Sequence, residues 1–122
     1  MFLSIIKSLK QAMTFMTTPN LDIEQMRQAA AQATATLRVL ANEDRLLLLC
    51  QLALGEACVS ELEELLGIRQ PTLSQQLGIL RAEDMVSTRR EGKKIYYQLS
   101  DSRAVSLLAT LHSLYCPAPA QN

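Results

Sequence analysis

Two apolar stripes at helical spacing lie side by side in the second half of the chain. Leu62, Leu65, Leu66 and Ile68 form one, and Leu73, Leu77, Ile79 and Leu80 form the other. A repeat of three to four residues predicts two short helices. Between them runs Gly67-Ile68-Arg69-Gln70-Pro71. Gly67 can end the first helix in a left-handed conformation and Pro71 suits the first turn of the next, so the break is read as a tight corner. Opposite its leucines the second helix carries Gln70, Thr72, Ser74, Gln75, Gln76 and Arg81, side chains able to bond base edges and phosphates in a major groove. The period then falls to two. Met85 to Arg89 alternates, Glu91-Gly92-Lys93 supplies a turn, and Ile95 to Leu99 alternates again, which predicts a β-hairpin. Its tip holds Arg89, Arg90, Lys93 and Lys94. Such cations attract a phosphate backbone and give affinity and salt dependence with little sequence information.

Three further helices frame this module. The first runs from about Asp22 to Leu40, with Ile23, Met26, Ala30, Ala33, Leu37 and Leu40 on one side. Asn42-Glu43-Asp44 caps a leucine-rich helix ending near Gly55. The last begins at Ser100-Asp101 and carries Val105, Leu107, Leu108, Leu111, Leu114 and Tyr115 up to Pro117. One copy of so small a domain cannot bury both outer stripes, so the first and last helices are expected to pair across a two-fold axis in a homodimer. A dimer would also present two recognition helices to a pseudo-palindromic operator of double-stranded DNA. The expected fold is mainly α with a small β-hairpin, a winged helix-turn-helix of four helices, two strands and a fifth helix. Residues 21–116 form the DNA-binding and dimerisation domain, 1–20 an N-terminal extension and 117–122 a tail.

Composition narrows the picture. A chain of 122 residues with 48% hydrophobic content suits one small domain. The formal net charge is zero, so a field for nucleic acid has to come from local clustering, with Glu24, Glu43, Asp44, Glu56, Glu61, Glu63 and Glu64 expected largely away from the DNA face. Aromatic residues make up only 4%, too few for a platform that stacks single-stranded bases. Met1 to Lys7 is apolar, but Lys7 and Lys10 interrupt it far short of a span; no membrane partner and a cytoplasmic location are expected.

Candidate chemistry rests on three cysteines, Cys50, Cys58 and Cys116. In a cytosolic chain stable disulfides are disfavoured, and retained thiols serve as inert core or as redox sensors. Cys50 shares a leucine-rich face with Leu46 and Leu47, which leaves a buried structural role open. Cys116 ends the last helix just before Pro117, where the chain leaves the fold and solvent reaches it. His112 is the single histidine. Without a Gly-rich anion loop or a Cys-His-Asp arrangement, a thiol-dependent sulfur-transfer enzyme is the weaker alternative, and no cofactor is expected.

The order Val59-Ser60-Glu61-Leu62, Gln70-Pro71-Thr72-Leu73-Ser74-Gln75-Gln76-Leu77, Leu80-Arg81, Val86 and Arg89 through Leu99, preceded by Leu40-Ala41-Asn42-Glu43-Asp44-Arg45-Leu46, resembles the ArsR/SmtB family of winged-helix repressors over roughly Asp22 to Cys116. The resemblance implies a homodimer that leaves its operator when an inducer binds, most often a metal or metalloid. It also implies where metal would sit, and those places are depleted. The metalloid site uses a Cys-Val-Cys core where this chain has Cys58-Val59-Ser60. The zinc-type site on the last helix draws on Asp, His, His and Glu, where this chain has Asp101, Arg103, Leu114 and Pro117. Zinc wants three or four protein ligands, so no metal residues are assigned, and a metal-responsive repressor stays as the alternative. The pair Cys50 and Cys116 instead resembles the sensing couple of the BigR/SqrR/YgaV-like, persulfide-sensing branch. That implies reactive sulfur species as inducer, linking the two thiols as a disulfide or sulfur bridge.

Overall fold

The computed structural model describes residues 22–117. The apolar start at Met1 to Lys7, the 1–20 extension and the end of the tail beyond Pro117 lie outside the described residues. The chain divides between Ala35 and Thr36 into two compact units. In the first, helix α1 (Ile23–Leu40) begins where Asp22 Oδ1 accepts the backbone N–H of Gln25 at 2.8 Å, satisfying one of the open donors of a helix start.

The second unit takes in the end of α1 and everything after it. Asn42 caps α2 (Glu43–Ala53), its side chain accepting the N–H of Arg45 at 3.0 Å. Strand β1 (Ala57–Cys58) leads straight into α3 (Val59–Leu66), which stops at Gly67 in the left-handed region at φ 69. After the corner come α4 (Thr72–Ala82), the strands β2 (Val86–Glu91) and β3 (Lys94–Leu99), and α5 (Ser102–Tyr115), capped by the Asp101 carboxylate on the N–H of Arg103. The core collects Leu48, Leu49 and Leu52 from α2, Leu62 from α3, Leu73, Leu77 and Leu80 from α4, Met85 and Val86 at the hairpin, and Ala104 and Leu108 from α5. Each leucine of α4 lies three or four residues from the next, so one face is driven inward and the other stays in water.

The winged helix-turn-helix order is as expected, with four departures. The sheet has three strands in the order β1-β3-β2, because Ala57 and Cys58 pair with Tyr97 and Tyr96. A two-residue strand is too short for alternation to reveal. The hairpin is longer than expected: β2 runs on to Glu91, which faces Lys94, leaving Gly92-Lys93 as the turn with Gly92 at φ 62. Ile68 is buried, but beyond the end of α3, so it plugs the corner and is not part of the helical stripe. Leu65 and Ile79, expected on inward stripes, are exposed; with 3.6 residues per turn they rotate off the buried face.

Candidate nucleic-acid interface and thiol pair

The polar residues on α4 and just before it fall into four groups. Thr72 and Gln75 are exposed opposite the buried leucines. Gln70 Oε1 accepts both the backbone N–H of Ser74 at 3.1 Å and its hydroxyl at 2.6 Å, so these two residues close the first turn on each other. Gln76 turns inward. It is half-buried, and its Oε1 accepts Arg45 Nη1 at 3.0 Å. The same guanidinium donates to Val39 O at 2.7 Å and Arg38 O at 3.1 Å, the open carbonyls at the end of α1. Arg45 thus ties the last turn of α1 and the start of α2 to α4, a role that no periodicity announces. Arg81 is exposed on the flank of α4.

The hairpin tip is divided in the same way. Arg90, Lys93 and Lys94 are exposed, and the Nε of Arg90 reaches only to Gly92 O at 3.1 Å. Arg89 is engaged. Both Glu56 oxygens accept from its guanidinium, Nε meeting Oε2 at 2.8 Å, and Nη1 donates to Glu91 Oε2 at 2.8 Å. It also lies over the ring of Tyr96, 4.5 Å from the centroid, because the two residues are cross-strand partners. Hydrogen bonds from Arg89 hold the Glu56 carboxyl below the ordinary glutamate range. The pairing of β1 beside β3 brings Glu56, next to β1, within reach of Arg89 on the hairpin.

The three cysteines differ sharply. Cys58 is buried at the start of α3, its N–H donating to Glu61 Oε1 at 3.1 Å and its sulfur 3.3 Å from Ser60 Oγ. Hydrogen bonds from Cys58 to the Glu61 carboxylate, from its side chain first and its backbone second, lower the Glu61 pKa. Cys50 and Cys116 are both exposed, so a buried core role for Cys50 does not hold in this chain. Cys50 sits on α2 and Cys116 caps the end of α5, donating its N–H to His112 O at 3.0 Å. The protein around Cys50 removes enough water to raise its pKa, and the negative charge of the Cys116 thiolate raises it further. The fold therefore brings the two thiols into each other's electrostatic range.

Among the described residues no group of three or more His, Cys, Asp and Glu could hold a metal ion. Asp101 has another use: partial burial is outweighed by hydrogen bonds from Arg103, and its pKa is lowered. No helix among them is long and apolar enough to cross a membrane.

Residues 42–88 match the family described as bacterial regulatory protein, arsR family. The chain is 48% identical over 97 residues to the biofilm growth-associated repressor of Agrobacterium fabrum, covering 80% of this chain and 82% of that protein. It is 36% identical to the transcriptional activator HlyU of Vibrio cholerae, over 87% of this chain and 98% of that one. Among solved structures, the transcriptional repressor BigR from Xylella fastidiosa superposes with a TM-score of 0.74 at 42% identity, covering 80% of this chain and all of the other. Reduced HlyU gives the same TM-score at 38% identity over 78% of this chain and all of its own.

Proposed function

Because the chain belongs to the arsR family of bacterial regulatory proteins, it is a DNA-binding transcriptional regulator, and we propose that it is a homodimeric repressor released from its operator when sulfur chemistry links Cys50 to Cys116. The observation that carries this reading is the placement of two exposed thiols, Cys50 on α2 and Cys116 at the end of α5, with the third thiol buried apart from them; the charge of Cys116 is also among the causes that raise the Cys50 pKa. Cys58, buried against Ser60, has no part in it. The name of the Agrobacterium relative supports repression.

The chemistry closes on these two residues. One thiolate attacks a sulfane sulfur of an inorganic polysulfide, forming a cysteine persulfide and releasing the polysulfide one sulfur shorter. The second thiolate attacks the Sγ of that persulfide, and hydrosulfide leaves as the Sγ–Sγ bond forms. Two thiols are oxidised and one sulfane sulfur is reduced to sulfide. The bond joins α2 to the end of α5. Since Val105, Leu114 and Tyr115 of α5 are exposed apolar residues suited to a two-fold partner, tethering α5 alters the separation of the two recognition helices and lowers affinity for a paired operator. The double-stranded operator is met by Thr72, Gln75 and Arg81 of α4 with Arg90, Lys93 and Lys94 of the wing, while Gln70 and Ser74 fix the first turn of α4, Gln76 anchors it to Arg45 and Arg89 braces the wing against Glu56.

The test compares operator binding by parent, Cys50→Ser, Cys116→Ser and Cys58→Ser proteins, each with and without polysulfide. The parent and Cys58→Ser proteins should release DNA and recover it on reduction. Release by either of the other two as readily as by the parent sinks the thiol couple.

A further inference from the structure

The exposed face of α4 is not uniformly polar. Thr72, Gln75 and Ile79 follow one another at intervals of three and four residues and so form a single row. Ile79 is 39% exposed, and beside it stands Gly78. A glycine in mid-helix weakens the helix relative to alanine, and nothing inside this fold requires it: a Cβ built at Gly78 meets no atom within 4 Å. Two features thus work against an isolated helix in water, and they are adjacent on the face turned away from the core. Exposed Arg90, Lys93 and Lys94 of the same unit supply the charge complementary to a duplex backbone.

We propose that Ile79 reads a thymine methyl in the major groove and that Gly78, by lacking a side chain, lets α4 seat closely enough for that contact. The major groove presents the thymine C5-methyl as its one apolar recognition group, so an isoleucine in the row headed by Thr72 and Gln75 favours thymine at a single position of each half-site. This rests on the DNA-binding reading above and adds the base class that it selects.

Duplexes selected from a random library by the full chain under reducing conditions supply the probe. The selected site is then remade with deoxyuridine replacing thymidine at one position at a time, which removes only the methyl. At one position per half-site the parent should lose about four-fold in affinity, the worth of one buried methyl group, and Ile79→Ala should bind the two duplexes equally. Gly78→Ala should melt a few degrees higher than the parent and bind the selected site about ten-fold more weakly, as an intruding methyl in a close contact does. Indifference of the parent to every replacement, undiminished methyl sensitivity in Ile79→Ala, or unchanged affinity in Gly78→Ala overturns the proposal while leaving DNA binding intact. Failure to enrich any duplex over non-specific DNA would overturn the repressor reading itself.

Discussion

Cys50 holds less thiolate at neutral pH than an ordinary thiol, and the cause can be located. Partial loss of water beside the α2 leucines raises its pKa, and so does the negative charge that Cys116 acquires on ionising. A raised thiol pKa means less thiolate at any pH below it. The rate of Cys50 alkylation by iodoacetamide, followed peptide by peptide in reduced protein, should therefore rise through a midpoint above the ordinary thiol range. Cys116→Ser should shift that midpoint down and speed alkylation at fixed pH, since the second of the two causes is then gone. An unchanged profile would mean that the sulfurs are out of each other's range. Cys58 provides the internal control, because it is buried and should react last.

At the scale of elements, the wing depends on which of its cations are already spoken for. Arg89 is held by Glu56, Glu91 and the Tyr96 ring, whereas Arg90 and Lys93 project into solvent. Replacing Arg90 or Lys93 by alanine should weaken binding to all sequences and flatten the dependence of log affinity on log salt by about one unit each. Arg89→Ala should weaken binding while leaving that slope in place, because it loosens the wing without removing a phosphate contact. Affinities measured across a salt series separate the two cases. The contrast also marks how far the sequence could be read. Alternation of Val86 to Leu99 made the hairpin legible, and the leucines of α4 made its buried face legible, since both depend on local period. What stayed hidden depends on partners distant in sequence. Gln76 is drawn inward by Arg45, thirty-one positions earlier, and Arg89 is engaged by Glu56, thirty-three positions away. Nothing in either neighbourhood of the chain encodes such a meeting. The couple of Cys50 and Cys116 was visible only through resemblance, for the same reason.

At the scale of the whole molecule, the described residues leave much apolar surface exposed. Ile23 and Met26 of α1 and Val105, Leu114 and Tyr115 of α5 are exposed, although helices of such composition ordinarily bury one stripe. A two-fold partner covering these residues is the expectation that follows, and sedimentation at micromolar concentration should give twice the 13.6 kDa of the chain. Val105→Glu combined with Leu114→Glu should shift the protein to monomer while leaving the core built on Leu48, Leu49 and Leu77 folded. Operator affinity should then fall steeply, because each half-site would be bound alone. A double variant that remains dimeric places the interface elsewhere.

The two-residue strand β1 bears on colloidal behaviour as well as on geometry. Any sheet margin offers unpaired N–H and C=O groups on which a foreign strand can add, the first step toward fibrils. Here Ala57 and Cys58 occupy the middle of the β3 margin, so only short stretches remain open on either side of it. The opposite margin belongs to β2, and its outer half carries Arg89 and Arg90. One side is blocked by a short strand and the other carries charge, two devices that disfavour the addition of a foreign strand.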